Sequence, residues 1–248
     1  PPMLTIKTNT YLTVSLTALL TLSPLSFADN HAGEATTDGA FTTLMVAAPD
    51  TGKYIASLKK NSGAFKAVGA SAAGVCVTQS GHEYPGQMMI WSGYPSIQAA
   101  LIGSSKYDPA KAPQQVARLR EVKYGVTWKS LKPFKLNPGY ERVQRIQVAN
   151  EKVPAFVAAM SELEAAIQNN GHADFGNGIF VSIGGGSHEV QTLMVRSVSR
   201  DAAAAGALFD EYFSGTAAWA GAFQAVSPHI DAVISDNFES CEQIYAAE

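Results

Sequence analysis

No cluster of cysteine and histidine in this 248-residue chain has metal-ligand spacing, so no metal is expected. No basic run interleaves with aromatic residues, which argues against a nucleic-acid partner. Gly184-Gly185-Gly186 is not followed by Lys-Ser/Thr and is therefore no phosphate-cradling loop. There is no Gly-x-Ser-x-Gly elbow. His82-Glu83 and His188-Glu189 both lack the second histidine of a zinc-protease helix. Beyond residue 28 no apolar run is long enough to span a bilayer.

What is present suits a folded globular protein, with 46% hydrophobic and 16% charged residues. Residues 1–28 read as a secretory signal peptide. Lys7 gives a weakly positive start, residues 11–22 are apolar, Pro24 ends the run, and Ser26-Phe27-Ala28 offers small residues for cleavage. The mature chain is expected to be exported, periplasmic or extracellular, with no membrane contact after cleavage. Losing Lys7 leaves 17 Lys/Arg against 21 Asp/Glu. Residues 29–138 hold 12 basic and 7 acidic side chains, and residues 139–248 hold 5 and 14. A basic half and an acidic half favour docking against each other.

Residues 29–40 are small and polar, as in a flexible leader. Strand signals follow at 41–47, 73–78, 87–92 and 124–128, and again at 142–149, 175–183, 189–198 and 232–241. Helical periodicity covers 54–68, 96–102 and 114–122 in the first half. In the second half it covers 152–169 and 201–226, where Gly215 and Gly221 should bend or break the helix. Pro and Gly at 137–140 mark a linker. The domains are therefore 41–136 and 141–246, and each reads β-α-β-β-α-β, the ferredoxin-like order.

Residue matches point to an internal repeat. Tyr54-Ile55-Ala56-Ser57-Leu58 aligns with Phe156-Val157-Ala158-Ala159-Met160, and His82-Glu83 aligns with His188-Glu189. The His-Glu pairs are expected on hairpin turns, where they mark the duplication rather than a catalytic base. This layout resembles the dimeric α/β-barrel superfamily of antibiotic-biosynthesis-monooxygenase, NIPSNAP and EthD-type domains, here as an intrachain tandem repeat. The resemblance implies an α+β fold in which two ferredoxin-like units pack sheet to sheet as a self-contained pseudo-dimer. It also implies that strand two of one unit lies beside strand four of the other. That closure, together with export, suggests a disulfide between Cys76 and Cys241.

Strand alternation then selects candidate ligand residues. Leu44, Val46, Met88, Ile90, Ile146, Leu193 and Val195 should face the helices. Thr43, Met45, Met89, Trp91, Arg145, Gln147, Met194 and Arg196 should face the space between the sheets. Arg145 and Arg196 could hold a carboxylate or phosphate, with Trp91 as an apolar wall and Met89 and Gln147 beside them. The alternative is that these arginines pair with acids.

The superfamily resemblance permits a cofactor-independent, monooxygenase-like enzyme for a small organic molecule, although no residue is identified as catalytic. A non-catalytic protein binding a small anionic ligand, or a structural barrel with a filled interior, fits as well. Tandem ferredoxin-like chains also resemble the chlorite-dismutase group. Haem binding on that model needs an axial histidine beside a large pocket, with His172 and His229 available.

Overall fold

The structure is a computed structural model that describes residues 37–247. The expected signal peptide and nearly all of the leader lie outside the described residues. The first half runs β1 (Ala40–Ala47), α1 (Thr51–Lys60), α2 (Gly63–Val68), β2 (Ala72–Ser80), β3 (Gln87–Tyr94), α3 (Ile97–Ser105), α4 (Gln114–Ala117) and β4 (Glu121–Ser130). The second half runs β5 (Tyr140–Gln147), α5 (Val153–Asn169), β6 (Gly176–Ile183), α6 (Gly186–Glu189), β7 (Leu193–Ser199), α7 (Ala202–Ser214), α8 (Ala220–Val226) and β8 (Ala232–Ala246).

The eight strands close into one barrel in the order β1-β3-β2-β8-β5-β7-β6-β4. Each half contributes four strands in the ferredoxin-like order, and two antiparallel seams join the halves. One seam is β2 against β8 and the other is β4 against β6. Closure removes the free edges that two open four-stranded sheets would expose. This is the α+β architecture of two ferredoxin-like units packed as an intrachain barrel.

Local chemistry sets the helix ends. Asp50 caps α1 by accepting from the Lys53 amide, and Lys59 and Lys60 sit at its C-terminal end, where they complement the helix dipole. Asp201 caps α7 in the same way, and Gly215 ends it at φ 75°. That glycine and the segment after it split the single helical run expected over 201–226 into α7 and α8. Gly221, by contrast, lies inside α8. In the first half, Asn61 and Ser62 divide the expected 54–68 helix into α1 and α2, and α4 is much shorter than its sequence pattern suggested.

The helices cover the outside of the barrel. In the second half, Phe156, Met160, Leu163 and Ile167 of α5 pack with Ile146, Ile179, Leu193, Val195 and Trp219 into one dense cluster. In the first half, Val46, Val75, Met88 and Ile90 face Tyr54, Phe65 and Ala100. Both ion pairs that cross between the halves among the described residues run from the basic half to the acidic half: Lys59 with Glu242, and Lys132 with Glu164.

The β6–β7 connection departs from the expected hairpin with a strand beginning at 189. Residues 186–189 form the one-turn helix α6, and β7 starts only at Leu193. Gly184 at φ 76° and Gly186 at φ 60° adopt left-handed conformations that turn the chain back over the barrel end.

Candidate functional site

Antiparallel partners place their side chains on the same face, so the register identifies what fills the barrel. Thr43 opposes Trp91, and Met45 opposes Met89. Gly74 opposes Trp91 on the other side, and a Cβ at Gly74 would fall 2.3 Å from the indole. The missing side chain at Gly74 is thus what lets Trp91 lie across the interior. Met45, Cys76, Met89, Trp91 and Cys241 form one inner cluster, and Val126, Trp128, Val143, Phe180 and Met194 form another. The space between the two sheets is occupied by these side chains.

Two charged groups are embedded among them. Arg196 on β7 donates from Nε to Glu141 at 2.6 Å and from Nη2 to Glu239 at 2.7 Å. The same Nη2 lies 3.4 Å from both Cys76 Sγ and Cys241 Sγ. Those two sulfurs are joined as a disulfide, with Cα atoms 4.0 Å apart. They are directly opposed across the β2–β8 seam. Burial pushes the carboxyl of Glu141 up; Arg196 opposes the rise and the neighbouring Glu239 adds to it. Burial alone would lower Arg196, but Glu141 and Glu239 outweigh it, so its pKa rises.

The second group lies under the β6–β7 connection. Arg145 on β5 grips Glu189 with two bonds, Nε to Oε2 at 3.0 Å and Nη2 to Oε1 at 2.9 Å. The Tyr124 hydroxyl donates to the same Oε1 at 2.8 Å, and the His188 ring stacks on Tyr124 with centroids 4.1 Å apart. The Arg145 guanidinium also stands 5.4 Å from the Trp128 ring centre, and Trp128 Nε1 donates to Thr43 Oγ1 at 3.0 Å. The second His-Glu pair is therefore part of a plug. Glu189 is 1% exposed and supplies the counter-charge that makes an inward Arg145 tolerable. The first pair lies in an exposed turn, so the matching residues do different work in the two halves.

Trp91, Met89, Arg145 and Arg196 thus point inward, but both arginines are already engaged by carboxylates. Gln147 is separated from them. A register shift between Arg145 and Ile146 against β8 precedes it, and it lines an outer depression of ≈ 680 Å³ with Gly184, Gly185, Gly186 and Asp231.

The larger opening lies elsewhere. In the first half, α1, α2 and α3 stand off the outer face of β1, β3 and β4 and leave a cavity of ≈ 910 Å³. Its floor includes Leu44, Ile90, Ser92, Tyr94 and Thr127, and its walls include Tyr54, Leu58, Phe65, Leu101, Tyr107 and Val116. Tyr94 lies against Gly103 of α3, where a Cβ would fall 2.6 Å from the Tyr94 ring. Burial pushes the Tyr54 phenol up to about 12, so it stays protonated and able to donate. Strand alternation misses this cavity, because its residues belong to the helix-facing side that reads as ordinary core. The visible signal was only that the first half has shorter helices than the second.

No protein-family model matches the sequence, and no curated protein matches it. Solved structures do match in fold. An anthrone oxidase-like protein superposes with TM-score 0.52 and 11% identity, over 86% of this chain and 98% of that one. A chlorite dismutase-like protein gives 0.50 and 11%, over 84% and 96%. A monooxygenase-like protein from Fusobacterium nucleatum gives 0.50 and 10%, over 84% and 95%. At such identities the likeness is one of fold, and the fold is the dimeric α/β barrel within a single chain.

Neither of the two histidines considered for haem, His172 and His229, lines either cavity. His172 bonds Glu211 at 2.9 Å, and His229 sits in a short turn of helix after α8.

Proposed function

We propose that this protein binds a small, largely apolar organic molecule between the helices and sheet of its first half. The observation that carries this reading is the ≈ 910 Å³ cavity. It lies in the size range of small-molecule sites, and its few polar groups are the kind that fix a ligand's orientation. The packed barrel interior, with both arginines paired, argues against placing the ligand between the sheets.

Oxygenase-type chemistry is the activity to test first, because two of the fold neighbours are named as anthrone oxidase-like and monooxygenase-like. Fold likeness alone assigns no reaction. Export is supported by the Cys76–Cys241 bond, since such bonds persist in oxidising compartments. Descent from one duplicated unit is supported by the matched element order of the two halves and by their reciprocal seams.

The experiment is a thermal-shift and oxygen-uptake screen with anthrone and related tricyclic phenols, on the wild type and on Leu44→Trp, which fills the cavity floor. The expected result is a stabilising shift in the wild type that Leu44→Trp abolishes while remaining folded. Shifts of equal size in both proteins would overturn this placement of the site. Oxygen uptake that depends on the cavity would add the enzymatic reading to the binding one.

A further inference from the structure

Arg120 immediately precedes β4 and falls in sequence between Val116 and Val122 of the cavity wall, but stands behind the lining rather than in it. It is 9% exposed. Its Nη2 donates to the Tyr107 hydroxyl at 2.8 Å, and its guanidinium carbon stands 6.0 Å from the Tyr54 ring centre. Both tyrosines line the cavity. Its Nε is buried and has no hydrogen-bond partner. No carboxylate among the described residues forms an ion pair with it. Arg145 and Arg196, by contrast, are each matched to acids. A buried guanidinium is ordinarily paired, because an unpaired charge away from water costs several kcal/mol.

We propose that the missing counter-charge is supplied by the ligand, and that the cavity takes an amphipathic monocarboxylate with its apolar body among Leu44, Leu58 and Phe65. This rests on the cavity reading above and adds a head-group chemistry to it. The carboxylate lies by Tyr54 and Tyr107, with Arg120 behind them. Neutral phenols can donate to its oxygens, and Arg120 supplies the charge that makes those bonds strong. A neutral alcohol of the same length fills the same apolar space but gains nothing from Arg120.

The test is calorimetric titration of the full chain at pH 8 with decanoate and with decanol. Decanoate should bind at least about tenfold more tightly than decanol, the advantage expected of one charge-assisted contact. Arg120→Gln should erase that advantage and leave decanol affinity unchanged. Decanol binding as tightly as decanoate to the wild type would overturn the carboxylate proposal while leaving the cavity reading intact. Binding of neither would overturn both. An advantage that persists in folded Arg120→Gln would remove Arg120 as its source. If Arg120→Gln does not fold, Arg120→Lys replaces it. That variant keeps the charge and should retain a preference for decanoate, and loss of that preference to a neutral-like ratio in Tyr107→Phe but not in Arg120→Lys would reassign the head-group contact to Tyr107.

Discussion

Cys76 and Cys241 oppose each other in register across the β2–β8 seam, 165 positions apart in the chain. Their Cα separation of 4.0 Å is well within the roughly 7 Å beyond which a bridge cannot form. The bond ties the first half to the last strand. Replacing both cysteines by alanine should lower stability by about 4–5 kcal/mol on the chain-entropy estimate for so long a loop. Denaturant unfolding of the two forms measures this, and mass mapping without reductant checks the pairing. Two free thiols in protein prepared under oxidising conditions would count against the bond.

The buried trio of Glu141, Arg196 and Glu239 should respond asymmetrically to substitution. Arg196→Met leaves two buried carboxylates without a counter-charge and should cost about 3–5 kcal/mol at neutral pH. Glu141→Gln should cost much less, because burial and Glu239 already favour the protonated form of Glu141. Glu141 already stands above its unfolded value through burial, and losing Arg196, which opposes that rise, lifts it further. The contribution of Glu141 is then fully present at low pH and is lost as pH rises. The deficit of Arg196→Met should therefore shrink as pH falls from 7 toward 4, which urea midpoints measured across that range would show. A deficit independent of pH would contradict the charge argument.

Glu189 should prove a stability residue rather than a catalytic one. Glu189→Ala strands the Arg145 guanidinium, which is 12% exposed, and should cost about 3–5 kcal/mol. Tyr124→Phe removes one hydrogen bond to Glu189 and should cost about 1 kcal/mol. His188→Ala, at an exposed stacking position, should cost less than either. Thermal unfolding of the three variants gives the order, and a neutral Glu189→Ala would refute the plug.

Alkaline pH should loosen the first half. Burial raises the Tyr54 and Tyr84 phenols to about 12. Folded values above the ordinary value of 10.0 mean that the stability they lend is complete below pH 10 and is lost as pH rises through about 12. Tyr54→Phe should therefore be less sensitive to pH than the wild type between pH 10 and about 12. Absorbance at 295 nm during the titration should show these phenols ionising together with unfolding. Early ionisation of all tyrosines in the folded state would contradict their burial.

Much of the architecture was legible because it is written in local periodicity. Alternation at 41–47 and 87–92 correctly assigned Val46, Met88 and Ile90 to the helix side and Met45, Met89 and Trp91 to the interior. The same rule oriented Arg145 and Arg196 but not Gln147, because a register irregularity follows Arg145 and alternation holds only in an unbroken ladder. The helical run at 201–226 was read as one broken element because Gly215 is visible in sequence, whereas α6 was missed because a single turn carries no periodic signal.

By itself, the sequence determined the β-α-β-β-α-β order of each half and which strand faces are apolar, since each depends on neighbours a few positions apart. Only the tertiary structure decided which charges meet and where space remains. Glu189 reaches Arg145 across 44 positions, and Glu239 reaches Arg196 across 43. The inward arginines are therefore neutralised by partners that no local pattern announces. A cavity is likewise the gap between helices and sheet, set by how closely whole elements approach, and Arg120 became conspicuous only when every other buried arginine had found an acid.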